Sequence, residues 1–236
     1  MAKYVGYKRP KNTKKAMKNL LRYLGYHKWL LLLVAVLVAI SSGISLSCEN
    51  AAKAVAQLCE NSKRVYVFDS GHLSSGLGHL VIKAAKMAEN GHSASEILAA
   101  LEALKNKVST SFIAESVDYL YRNGKVSENV KKICSAFNIH PILVMKNGEL
   151  TLKSVTRGDY QKACKRYIRK TLSNTKSIEK NTAFITQAGC NTKMIEWIKA
   201  EVSKDCNFEN LIVTKASATV SSNCGPNSFG VIFIEK

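Results

Sequence analysis

Proline is nearly absent, three residues in 236, and no two of the seven cysteines stand at the Cys-x-x-Cys spacing. The first scarcity leaves no proline-rich linker. The second removes zinc-ribbon and thioredoxin-like readings, because both chemistries need paired thiols close in sequence. No Gly-x-x-x-x-Gly-Lys-[Ser/Thr] loop occurs, so the chain carries no P-loop. Gly76-Leu77-Gly78 starts like a dinucleotide fingerprint, but Val81 stands where its last glycine belongs. No nucleophile and base can be picked out together, so the chain reads as a binding protein and not as an enzyme.

Acidic residues are missing from positions 1–28, while the chain as a whole has 35 Lys and Arg against 17 Asp and Glu, a formal charge of +18. Much of that excess lies in the leader, and the rest of the chain is only mildly basic, without an arginine-rich run. Nucleic acid is therefore not the expected partner. The hydrophobic share of 46% is enough for a normal globular core. An odd, scattered set of cysteines fits reduced thiols better than a disulfide framework.

Residues 1–28 read as a basic amphipathic leader, with Leu20, Leu21 and Leu24 at helical spacing. Residues 29–47 form an uncharged, largely apolar segment. It suits a membrane-spanning helix in length, although the strictly apolar part, Trp29 to Ile40, also suits a signal-peptide core or, at Leu37 to Ile40, a buried strand. Residues 10–40 resemble the start of an ABC exporter transmembrane domain. The expectation is membrane association through residues 1–47, with a cytoplasmic location as the alternative.

Beyond Ile40 the pattern is that of an α/β protein. Val65 to Phe68 reads as a buried strand, followed by a Ser/Gly/His loop and a helix from Leu77 to Glu89, with Leu77, Leu80, Val81, Ala84 and Ala85 toward the core. A strand, a turn and a helix N-terminus in that order make a place for a carboxylate or phosphate. His72 and His79 read as surface residues. Ser93 to Glu96 forms a capping box for a helix through Leu104. A strand at Val108 to Phe112 and helices at Ser116 to Arg122 and Ser127 to Ala136 follow. The Asn147-Gly148 pair predicts a hairpin between Pro141–Met145 and Glu149–Lys153. A helix at Asp159 to Leu172, strands at Thr182 to Thr186, Leu211 to Ala216 and Gly230 to Ile234, and a helix at Met194 to Lys204 complete the reading.

Six ordered blocks carry a resemblance: ISSGIS at Ile40, ENAAKA at Glu49, VFDSGHLSSGLG at Val67, DYLYRNGKVS at Asp118, HPILVMKNGEL at His140 and NCGPNSFGVIF at Asn223. Together they resemble the DegV family of bacterial fatty-acid-binding proteins, over Ile40 to Lys236. The resemblance implies a two-lobed α/β fold, with residues 40–106 as an incomplete first lobe and 107–236 as the second, preceded here by an apolar N-terminal helix. It further implies a long-chain fatty acid as ligand, no cofactor or metal, and a fatty acid kinase subunit as partner.

On those matches Ser74 is the first carboxylate donor, Ser75 the next, and Ser70 either joins them or caps its own turn. Asn223 stands where the family has a histidine and can donate a hydrogen bond without carrying charge. Arg157 and Lys125 occupy basic positions of the partner or head-group region. The family's first strand, its DS-T loop and its TS-P block have no counterpart ahead of ISSGIS. The resemblance therefore implies half a head-group site, and leaves as alternative a truncated, non-functional or membrane-anchored fusion that binds no ligand.

Overall fold

The computed structural model describes residues 66–124, 126–146 and 148–236. The leader, the apolar segment, the ISSGIS and ENAAKA blocks, Lys125 and Asn147 of the predicted turn lie outside them. Tyr66 to Phe68 belong to no strand, and Tyr66 is 58% exposed. Val65, where the predicted strand starts, lies outside the described residues.

Asp69–Lys236 forms one unit. Helices α1 (Ser75–Glu89) and α2 (Ala94–Lys105) lead into β1 (Val108–Ile113), then α3 (Asp118–Arg122) and α4 (Glu128–Ala136). A hairpin of β2 (Ile139–Lys146) and β3 (Glu149–Arg157) is followed by α5 (Tyr160–Thr171) and a 3-10 turn, Thr175–Ser177. The chain then runs through β4 (Thr182–Ala188), α6 (Thr192–Asp205), β5 (Asn210–Lys215), α7 (Ala218–Cys224) and β6 (Ser228–Ile234). The strands lie in the order β3-β2-β1-β6-β4-β5. Pairing is antiparallel except between β4 and β5, which α6 connects as a parallel crossover. The sheet is thus mixed.

Successive side chains of a strand point to opposite faces, which divides the sheet's contacts in two. On one face Ile113, Ile142, Ile185, Phe229, Val231 and Phe233 pack with Tyr167 and Ile168 of α5 and Ile198 and Val202 of α6. On the other, Phe112 and Leu143 pack with Val117, Leu120 and Cys224, and α1 lies against β1 and β6.

Local chemistry fixes the helix starts. Ser93, Ser127, Asp159, Asn191 and Ser217 each accept a hydrogen bond from the amide three residues on, and at Ser93 the Glu96 side chain closes the predicted box. Ser74, in the same position before α1, makes no such bond. Helix α1 buries only part of the face its apolar residues mark. Ser75, Gly76, His79 and Leu80 are buried, whereas Leu77 and Val81 are 42% and 57% exposed. The inward stripe is polar because it meets hydroxyl and carbonyl groups of the sheet. His79 Nε2 lies 3.3 Å from the Ile232 carbonyl and its ring meets Phe184 edge-on, so His79 is an interior residue. Burial holds its pKa below the usual histidine range.

Candidate functional site

Between the start of α1, helix α7 and strands β1, β6 and β4 lies a narrow slot, a cavity of about 30 Å³ that opens to solvent. Phe112, Ala188, Ala216, Val220, Cys224 and Ile232 give it apolar walls, and Leu73 and Ser74 stand at the α1 end. Burial pushes the Cys224 thiol up to about 11, so it stays protonated and behaves as part of the apolar wall. Several polar side chains of the lining are already committed elsewhere. Ser228 Oγ donates to the Cys224 carbonyl at 2.7 Å, Gln187 Oε1 accepts from the Cys190 amide at 2.9 Å, and Thr110 Oγ1 lies 3.1 Å from His72 Nδ1.

Ser74 differs from them. Its backbone sits at φ 53°, ψ −132°, a region that side-chain-bearing residues rarely adopt. Holding it there costs on the order of 1–3 kcal/mol, which the surrounding contacts must offset. The turn is tight: a Cβ on Gly76 would collide with Thr110 Oγ1, so only glycine lets α1 come this close to β1. The result is a hydroxyl at the slot, beside the partial positive end of a helix of 15 residues.

Ser75 is buried directly below. Its Oγ is 2.7 Å from Thr186 Oγ1 and 2.9 Å from Thr214 Oγ1, and the two threonine oxygens are 2.8 Å apart. Thr186 and Thr214 face each other in register across β4 and β5. Neither was marked by the sequence reading, although both lie toward the carboxyl ends of the two parallel strands, where α/β sheets carry ligands.

The other predicted residues are not gathered at the slot. Ser70 Oγ accepts from the His72 amide and donates to the His72 carbonyl, both at 3.2 Å, which closes its own turn. It lines a separate polar hollow with Asp69, Lys105 and Lys146. Asn223 Nδ2 donates to the Thr219 carbonyl one turn back at 2.8 Å. Arg157 is exposed at the end of edge strand β3. A further hollow beside His140 and Tyr160 is walled by Glu115 and Asp159, whose charges would repel an acid head group. Among the described residues no group of His, Cys, Asp and Glu is placed to hold a metal ion, and no helix is long and apolar enough to cross a membrane.

The model of a family described as "uncharacterised protein, DegV family" matches residues 34–236. It starts inside the apolar run, so Val34 to Ile40, compared above with an exporter's first spanning helix, falls within the matched region. A DegV domain-containing protein of Caldanaerobacter subterraneus is 31% identical over 178 residues, which are 75% of this chain and 62% of the relative. The chain thus spans less than two thirds of that relative's length. A DegV family protein from Eubacterium eligens, solved with heptadecanoic acid, aligns with a TM-score of 0.68 at 21% identity, covering 79% of this chain and 66% of that one. The fatty acid kinase B3 protein of Streptococcus pneumoniae, solved with linoleic acid, aligns with a TM-score of 0.63 at 18% identity, covering 78% and 67%. With a six-stranded mixed sheet, an apolar slot and a family match over most of its length, the chain belongs to the DegV family.

Proposed function

We propose that this chain binds a long-chain fatty acid, laying the acyl group in the slot with its carboxylate beside Ser74, and presents it to a fatty acid kinase subunit. The observation that carries the reading is the slot itself, apolar along its length and ending at a serine held in strained backbone and released from capping. The fatty acids carried by the Eubacterium and Streptococcus proteins support it. Such a site needs no fixed cation. A hydroxyl and the amides of a helix start can hold an anion without the desolvation cost of a buried charge.

In this reading residues 40–106 contribute the first lobe and 107–236 the second. Ser75 supports Ser74 from below, and Ser70 shapes the turn. Asn223 acts only if ligand or kinase draws it in, Lys125 keeps its reading as a basic residue of the partner or head-group region, and Arg157, already exposed, faces the kinase. The family match from Val34 favours the alternative in which Leu37 to Ile40 is a strand of the domain, and with it the cytoplasmic location. Carbonate extraction of membranes checks this: the chain is expected in the supernatant.

The test of binding is lipid extraction of the purified full chain followed by mass spectrometry and titration with palmitate. Co-purified fatty acid, or saturable palmitate binding, is expected. A chain that carries no lipid and ignores added palmitate leaves the non-binding fusion as the better reading.

A further inference from the structure

Three hydroxyls from distant parts of the chain meet beneath the start of α1, and packing alone gives no reason for them. Ser75, Thr186 and Thr214 lie within 2.9 Å of one another in every pairing. Each hydroxyl has one proton to donate and two lone pairs to accept with. In the closed ring all three protons are used internally. Only Thr186 also lines the slot, while Ser75 and Thr214 stand behind it.

We infer that Thr186 is a second head-group donor of the slot, with Ser75 and Thr214 as positioning residues that keep its oxygen in place. The inference rests on the fatty-acid-binding reading above. When a carboxylate reaches the α1 end, the Thr186 proton turns from the ring to the ligand oxygen, and Thr186 goes on accepting from one ring neighbour. One ring bond is lost and one bond to the ligand is gained, so no donor is left unpaired. The new bond is charge-assisted, and the two remaining ring bonds polarise it further. Threonine suits the post because its β-branching restricts χ1, leaving little but the proton free to move.

The ring also explains the polar inner stripe of α1. Thr186 and Thr214 bond each other, which uses one of their two protons; a leucine facing them would leave the other proton without an acceptor, and the Ser75 hydroxyl supplies one. It therefore serves the empty protein by satisfying the sheet hydroxyls and serves the loaded protein by passing its proton toward Thr186.

The test compares palmitate with methyl palmitate, both delivered from cyclodextrin to the full chain, for wild type, Thr186→Val, Thr186→Ser and Thr214→Val. Thr186→Val is expected to weaken palmitate by about tenfold or more, with a clearly smaller loss for the uncharged ester. Thr186→Ser should restore palmitate binding toward wild type, and Thr214→Val should show a smaller loss that is again selective for the acid. Melting curves report whether each variant folds; if Thr186→Val does not, the selectivity of Thr214→Val and the rescue by Thr186→Ser decide. Equal fractional losses for acid and ester, or no loss in either, overturn the inference while leaving lipid binding intact. A wild-type chain that binds neither probe overturns both.

Discussion

The two faces of the sheet solve different problems with the same strands. Toward α5 and α6 the residues against the sheet are closed off: Ile113, Ile168, Ile185, Ile198, Val202 and Val231 are all 0% exposed, and the Tyr167 hydroxyl accepts from the Val231 amide and donates to the Ser111 carbonyl. Toward α1 and α7 the packing stops short, leaving a slot with a hydroxyl ring and a strained serine at one end. Close packing stabilises the first face, whereas the second gives up contacts to keep space open. The proposed function puts stability and binding on opposite sides of one sheet, and substitutions on the two sides should separate them.

The largest expected effect lies on the filled face. Ile185→Ala should cost about 2–5 kcal/mol in chemical denaturation, from lost transfer free energy and the cavity left behind. Val220→Ala on the slot face should cost only about 1 kcal/mol, because its side chain already borders empty space. A comparable loss at both sites would erase the distinction. Val220→Phe reverses the comparison: with the slot filled, palmitate binding should fall by about tenfold or more while stability moves by less than about 1.5 kcal/mol.

Ser74 allows a finer separation within the slot face. Ser74→Ala should weaken palmitate by about 1–3 kcal/mol, since a charge-assisted donor is lost and the backbone strain stays. Ser74→Gly should weaken binding by a similar amount but raise stability by about 1 kcal/mol or more, because glycine adopts φ 53° without strain. Melting curves set beside palmitate titrations check both halves.

The smallest effect is in pH. Burial depresses the pKa of His79 below its ordinary 6.5. Under acid conditions the unfolded chain therefore takes up a proton that the folded chain resists, and stability falls as pH drops through that value. Above it both states are neutral and the contribution is flat. Comparing melting at about pH 7.5 and about pH 5.5, His79→Gln should lose less stability on acidification than wild type, as an amide can still donate to the Ile232 carbonyl without titrating.

Most of the fold could be read from periodicity and punctuation: the paired strands β2 and β3, the Ser93 capping box, and the strands at Val108, Thr182, Leu211 and Gly230 all form where the sequence places them, with bounds shifted by a few residues. Helix α7 went unread because ATVSSNC has no apolar period, and it forms on the Ser217 cap and its contacts with the sheet. The inner face of α1 was misread in part. Leu80 is buried as its spacing implies, but Leu77 and Val81 face outward, and Ser75 and His79 take inner positions against the sheet's hydroxyl and carbonyl groups. At the proposed site, Ser74 is singled out by its loop and the family blocks. Thr186 and Thr214 are not, since hydroxyls 111 and 139 residues from Ser75 meet it only once β4 and β5 pair in register.

The central claim is that the unfilled face of the sheet is the acyl site. The most direct measurement is crystallography of the full chain with a fatty acid bearing bromine at its tail, read by anomalous scattering. The account predicts a bromine peak inside the slot bordered by Phe112, Val220 and Cys224, with the carboxylate end beside Ser74. A peak in the hollow beside His140, or ordered crystals from saturating ligand with no bromine in the slot, would contradict it.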